Sequence, residues 1–216
     1  YSIVVDRNGE ILVVDRGNHR FVKFSSRGEK LFERGSYGSG RDQLQNPTDI
    51  ALDQKRNIYV VDSGNQRLKK YDFSGNLIFI WSGHLHEPSH VALDRSGYVY
   101  ITDRRSHNVK VLQNQDIEEN NNQLVFAFGQ QQLVDPTGIA ISKNGKIFVQ
   151  PGPRGQKMGE LTVHIDNTGK KLFEQRTVSL NSNIKFDPEM IEWYKDYNKE
   201  VEDLFFASLD ARKDKS

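Results

Sequence analysis

The chain has 216 residues, of which 36% are hydrophobic and 27% charged, with 12 Phe, 8 Tyr and 2 Trp to build a core and a formal net charge of +1. This length suits one large domain or two small ones, and the aromatic content with a near-zero net charge argues against wholesale disorder. The absence of cysteine excludes disulfides, thiolate chemistry and cysteine-based zinc sites. No apolar run approaches the roughly 18–20 residues of a membrane-spanning helix, so no membrane insertion is expected. No basic-then-apolar leader follows Tyr1, which leaves secretion open.

Along the chain one phrase recurs: an apolar strand ending in Asp, a short turn, a second strand ending in Asp, a Gly-Asn turn, then Arg and a third strand. The copies read SIVVDRNGEILVVDRGNHRFVKF (2–24), PTDIALDQKRNIYVVDSGNQRLKKY (47–71), PSHVALDRSGYVYITDRRSHNVKVL (88–112) and a degraded PTGIAISKNGKIFVQPG (136–152). The ends of the first strands, Asp6, Asp53, Asp94 and Ser142, lie 47, 41 and 48 residues apart. A fourth strand is expected after each copy: KLFERG (30–35), LIFIWSG (77–83), LVFAFG (124–129) and KLFEQR (171–176). Period-2 alternation, as in Ile58 and Val60 against Tyr59 and Val61, marks strands buried on both faces. A repeat of 40–50 residues with four strands is the signature of a propeller blade, which buries its faces only by stacking on its neighbours. The expectation is an all-β propeller with blades over 1–176, a linker or extra strand over 177–186 and an acidic amphipathic helix and tail over 187–216.

The Pro-x-x-Ile-Ala-x-Asp start (Pro47 to Asp53; Pro88 to Asp94 in variant form) and Val-Val-Asp-x-Gly-Asn-x-Arg (13–20 and 60–67) resemble the NHL repeat. The connection Gly-Ser-x-Gly-Ser-Gly-x-x-Gln-Leu (35–44) adds to the resemblance, which covers residues 1–176. Copy four departs from it, with Pro151 where the second Asp belongs. The resemblance implies a propeller, usually of six blades. Four are visible here, so the ring is incomplete, four-bladed or finished by another chain.

Within the phrase, Asp15 and Asp62 are placed to accept backbone N–H groups, and Arg20 and Arg67 to return to them with forked hydrogen bonds. Copy three reads Asp103 and Asn108 at these places, so its internal pair should be missing. These residues are read as structural. The loops between second and third strands and those between blades share one face. It is expected to carry Arg16, Arg41, Arg104, Arg105, Arg154 and Lys157, with Asp42, Glu87 and Asp135 opposing them. His19, His84, His86, His107, Tyr37 and Trp81 are expected nearby. Cations interleaved with rings suit single-stranded nucleic acid.

The segment HLHEPSH holds His84, His86 and His90 at a spacing able to bind zinc or copper, although their loop setting favours polar surface. No cofactor is expected. A second candidate is the ring of positions two after the repeat Pro: Ser2, Asp49, His90 and Gly138. The resemblance extends to NHL-like propellers that use inward-facing histidines and a metal to cleave carbinolamide-type peptides; here one blade offers a histidine at that ring.

Outside the repeat, IEENNNQ (117–123) enlarges a loop and PGPRGQKMG (151–159) replaces a tight turn, which makes Arg154 and Lys157 candidate binding residues. Asp187-Pro188-Glu189 reads as a helix start. Met190, Tyr194, Tyr197, Val201 and Leu204 then step by 4, 3, 4 and 3, with Phe205 beside them. Residues 187–216 carry 5 basic and 9 acidic side chains, against 25 and 20 in residues 1–186. An acidic helix of this kind docks on a protein surface and does not seek an anionic membrane. The sequence therefore reads first as a non-enzymatic binding scaffold, with a protein partner or self-association through its loop face and C-terminal helix. RNA binding, implied by resemblance to NHL domains of tripartite-motif proteins, is the alternative, and a metal-dependent lyase or hydrolase the third. Asn/Gln-rich loops and the lack of cysteine lean toward an intracellular setting.

Overall fold

A computed structural model describes residues 2–113, 124–130, 133–142, 145–150, 157–165 and 171–179, the last two stretches as backbone strands. The expected helix with Tyr194, Tyr197, Val201, Leu204 and Phe205 lies outside these residues, as do Arg154 and the 117–123 loop. By compactness the chain divides after Ser179, and the unit Tyr1–Ser179 holds every described strand.

That unit is four antiparallel sheets of four consecutive strands each. Blade one is β1 (Ile3–Val5), β2 (Ile11–Asp15), β3 (Arg20–Phe24) and β4 (Lys30–Arg34). Blade two is β5 (Asp49–Leu52), β6 (Ile58–Asp62), β7 (Arg67–Tyr71) and β8 (Leu77–Trp81). Blade three is β9 (Pro88–Leu93), β10 (Tyr98–Asp103), β11 (Asn108–Gln113) and β12 (Phe126–Phe128). Blade four is β13 (Gly138–Ile141), β14 (Ile147–Gln150), β15 (Lys157–Ile165) and β16 (Lys171–Ser179). The four expected outer strands are all present, and β16 continues past residue 176 to Ser179. The first strands β1, β5, β9 and β13 contact one another in sequence, so they are the inner strands of the stack.

The first-strand Asp of each copy closes the first hairpin. Asp6 Oδ1 accepts the N–H groups of Asn8 and Glu10, Asp53 that of Asn57, and Asp94 those of Ser96 and Tyr98. In copy four the Ser142 hydroxyl takes over the role and accepts the Lys146 N–H at 3.0 Å. These turns need one residue at positive φ, supplied by Gly9, Gly97 and Gly145. Copy two puts Arg56 there instead, at φ 67°. Its guanidinium pairs with Asp6 and Glu10 of blade one and lies 3.5 Å over the Phe73 ring, interactions that offset the backbone strain.

Between blades the alternation works as expected. Ile58 and Val60 pack toward blade one with Leu12, Val14, Phe21 and Tyr71. Tyr59 and Val61 pack toward blade three with Val91, Val99 and Ile101. Tyr100, Val109 and Val111 meet Ile147 and Val149 of blade four. Burying each such side chain contributes about 1.5–3 kcal/mol, so the stacked junctions are the main source of stability.

The second-strand Asp residues tie the loops to the blades. Asp62 and Asp103 are fully buried. Asp62 accepts the Gln45 N–H of the preceding connection, and Asp103 those of His86 and Glu87. The expected ion pairs are present, at 2.9 Å for Arg20–Asp15 and 2.7 Å for Arg67–Asp62. They are made through Nε, not through the expected fork. The other guanidinium nitrogens of Arg67 donate to the carbonyls of Ser39, Gly40 and Gln43, and that of Arg20 to Glu33. As expected, copy three has no such pair. Asn108 occupies the Arg position, and the Ser106 N–H supplies a further donor to Asp103.

Because Arg67 joins a buried carboxylate to three carbonyls, Arg67→Ala should leave a buried charge uncompensated and cost about 3–5 kcal/mol. Arg20→Ala, at a more exposed pair, should shift the unfolding midpoint far less. Urea unfolding of the two variants measures the difference, and equal shifts would contradict the pinning role of Arg67.

Candidate functional site

At the loop-face end of the inner strands, Ser2, Asp49 and His90 of the expected ring are linked through Asp49. The Ser2 hydroxyl of blade one donates to Asp49 Oδ1 of blade two, and Asp49 Oδ2 accepts the Val91 N–H of blade three at 2.7 Å. The Thr48 hydroxyl donates to the Ser89 carbonyl at 2.6 Å, and the His90 N–H donates to Thr102 Oγ1 at 3.0 Å. Ser89 Oγ lies 2.8 Å from His90 Nδ1. One buried carboxylate therefore links three blades, and the imidazole next to it is half-buried and held by a neighbouring hydroxyl.

Burial pushes the Asp49 carboxyl above the usual carboxylate range, against the pull of Ser2, the Val91 N–H and His90. Burial also pushes the His90 imidazole below its ordinary value, while the Asp49 charge draws it back up. The ring thus offers one carboxylate and one imidazole that oppose each other's neutralisation, plus the hydroxyl of Ser2. Gly138 contributes no side chain.

His84, His86 and His90 do not converge. His84 is exposed in a left-handed backbone conformation at φ 60°. The His86 ring meets Ser106 Oγ at 3.0 Å, and His90 faces the inner ring. Among the described residues no group of three or more His, Asp and Glu is placed to hold a metal ion. His19 and His107 serve the fold instead. Both sit at φ near 55° after the top turn, and their Nδ1 atoms accept the N–H groups of Asn46 and Asp135, each at 3.1 Å.

On the loop face, Arg41 and Arg105 are exposed with no side-chain partner among the described residues. Tyr37 is 65% exposed and packs its ring 4.9 Å from His19. Arg16 and Arg104 are half-buried, and Arg104 is neutralised by Glu87 at 2.9 Å. Trp81, expected among these rings, is buried in the junction of blades two and three. Lys157 begins β15 and so belongs to a strand.

Two features escape the repeat reading. Lys69 is fully buried and donates to the carbonyls of Arg41 and Gln43, each at 2.6 Å. Burial, reinforced by Arg67, pushes it down to about 8. At the opposite end of blades one and two, a cleft of about 670 Å³ is lined by Glu10, Lys23, Arg56, Phe32, Phe73 and neighbouring polar residues. Lys23 pairs with Glu10 at 3.3 Å and lies 3.2 Å over Phe73, so the charges of this cleft satisfy one another. Lysines within alternating strands were the only sign of either feature in the sequence.

The NHL repeat family model matches residues 2–24 and 44–71. No curated protein sequence matches the chain. Among solved structures, it is similar to a streptogramin B lyase at 17% identity and TM-score 0.65, covering 84% of this chain and 54% of that one. It is also similar to the virginiamycin B lyase from Staphylococcus aureus at 13% identity and TM-score 0.60, covering 80% of this chain and 54% of that one. A protein of unknown function from Bacteroides caccae matches at 14% identity and TM-score 0.58, covering 82% of this chain and 60% of that one. The chain thus spans little more than half the length of the structures it matches. At these identities the likeness is one of fold.

The Asp49–His90 pair has a definite electrostatic consequence. A raised Asp49 pKa stabilises the fold below the ordinary carboxylate range, a contribution lost as pH rises through the folded value. A lowered His90 pKa stabilises it above the ordinary histidine value, a contribution lost as pH falls through the folded value. In Asp49→Asn, the amide can still accept from Val91 and donate to Ser2 while its charge is gone. The His90 pKa, followed by NMR of its ring protons, should then fall further. An unchanged or higher value would contradict the coupling.

Proposed function

We propose that this NHL-repeat β-propeller chain is a non-enzymatic binding module whose loop face holds an acidic segment of a protein partner. The observation that carries this reading is the exposure of Arg41, Arg105 and Tyr37 on the face where the other repeat side chains are engaged with the fold. Asp62 and Asp103 are spent on the connections, and His19 and His107 on backbone N–H groups. Guanidinium groups beside an exposed ring suit carboxylates and the flat amides around them. Loops carried on a rigid sheet scaffold are where binding residues commonly lie. The aromatic C-terminal segment with Tyr194, Tyr197, Val201, Leu204 and Phe205 is proposed as a second contact in such an assembly.

Single-stranded RNA is the second reading, favoured by the exposed Tyr37 ring, tilted against His19, on the face that carries Arg41. The lyase reading has less support from this chain's residues, since the inner ring presents His90 alone among the four blades.

Binding to a library of acidic peptides and to a random single-stranded RNA pool, each across a salt series, separates the readings. Peptide binding that is lost in the Arg41→Glu/Arg105→Glu variant is the expected result. Tighter RNA binding with a steep salt slope would move the assignment to RNA, because released counterions set that slope. No binding of either probe at low salt would contradict a role for this face.

A further inference from the structure

The junction between blades two and three holds polar groups whose counterparts between blades one and two are satisfied. The strand registers give the equivalence. Lys69 stands opposite Val60, two residues before Asp62, and Lys110 stands opposite Ile101, two residues before Asp103. Arg67 and Asn108 stand opposite those Asp residues themselves. In blade two the preceding connection supplies acceptors to both cations. Lys69 donates to the carbonyls of Arg41 and Gln43, and Arg67 to those of Ser39, Gly40 and Gln43. Residues 35–43 separate β4 from Leu44, which is buried and is followed by Gln45, the donor to Asp62. The next connection repeats this anchor with Leu85 and His86, the donor to Asp103. Only residues 82–84 separate β8 from Leu85, so most of the stretch that supplies those acceptors has no counterpart there.

Three side chains show the consequence. Lys110 is 7% exposed, and among the described residues its ammonium makes no hydrogen bond or ion pair. Trp81 Nε1 and Asn108 Oδ1 are buried with no hydrogen-bond partner among the described residues. Residues directly opposite in a sheet, and those two apart on one strand, share a face. Lys110 and Asn108 therefore face the way Ile101 does, into the core that contains Trp81. Two donors and one acceptor are left there, and leaving such groups unpaired in an interior is costly. The Asp103 carboxylate faces the same junction, but its oxygens take the N–H groups of His86, Glu87 and Ser106. Its charge balances that of Lys110, which favours a neutral ligand over a further anion. We propose that this junction is a docking site for a short uncharged segment of a protein partner, recognised through its backbone amides. Carbonyls of that segment accept from Lys110 Nζ and Trp81 Nε1, as the carbonyls of residues 39–43 accept from Arg67 and Lys69 one junction earlier. An N–H of the same segment donates to Asn108 Oδ1. A peptide amide carries both kinds of group without charge.

N-acetylglycinamide is the probe, and the indole N–H of Trp81 is the reporter. The chain has two tryptophans, Trp81 and Trp193, so Trp193→Phe leaves a single indole signal in the proton NMR spectrum. A saturable shift of that signal is expected. Lys110→Met keeps the aliphatic stem and should weaken binding about tenfold or more with unchanged circular dichroism, as loss of a charged hydrogen-bond donor does. N-acetylglycine, which carries a carboxylate, should bind more weakly than the amide. A signal that never saturates would overturn the proposal by showing that solvent alone fills the junction. Equal binding to the Lys110→Met variant would overturn it too. Preference for the carboxylate would replace it with an anion site. The comparison of amide with carboxylate needs no change at Lys110, so it decides the matter even where that variant does not fold. Arg41→Glu/Arg105→Glu should leave the amide titration unchanged, so this site and the loop-face reading fail separately.

Discussion

A single four-stranded sheet cannot bury two apolar faces by itself, and every other feature of this molecule depends on that constraint. Tyr59 and Val60 are adjacent in sequence yet belong to different cores, one shared with blade three and one with blade one. Each sheet is thus a partition between two apolar layers, and stability lives in the junctions. Removing one sheet would expose two layers at once. The polar chemistry of the repeat follows from the same constraint. Neighbouring sheets must be held at a fixed separation and angle, and the connections that hold them run across the ends of the strands, where their backbone groups need partners.

The Asp, Arg and His residues that stand out in the sequence meet that need. Buried Asp62 and Asp103 accept N–H groups from the connection that leads into their own blade. Lys69 and Arg67 donate to carbonyls of residues 39–43. Asp49 stitches three inner strands. Charged side chains spent in this way are poor candidates for chemistry on a ligand, because moving them would unpair buried groups. The exposed arginines and Tyr37 carry no such obligation, and for that reason they bear the functional reading.

Much of the fold was legible because it is written as a period. The four outer strands, the turn-closing Asp residues, the ion pairs of copies one and two and the missing pair of copy three could all be placed from spacing alone. Individual contacts outside the period were not. Arg56 replaces a turn glycine and reaches back to Asp6 and Glu10 of the previous blade, a pairing 46 to 50 residues apart that no local pattern encodes. Trp81 looked like a loop-face ring because it ends its strand, but its side chain points into the junction. The histidines illustrate the same limit. His19 and His107 occupy equivalent turns and accept equivalent N–H groups, a role visible only once the connection is seen passing over them. The His84, His86 and His90 spacing suggested a metal, yet strand direction sends His90 to the inner ring and leaves His86 with Ser106.

The central claim is that the repeat's charged and imidazole side chains pin the blade connections to the sheets. Native-state hydrogen exchange of the amides of Gln45, Asn46, His86, Glu87 and Asp135 tests it most directly, because each donates to one of those side chains. Protection comparable to that of the β6 and β10 amides is predicted, since opening a pinned connection requires opening the junction. Exchange as fast as that of ordinary surface loops would contradict the account and return these side chains to the pool of candidates for function.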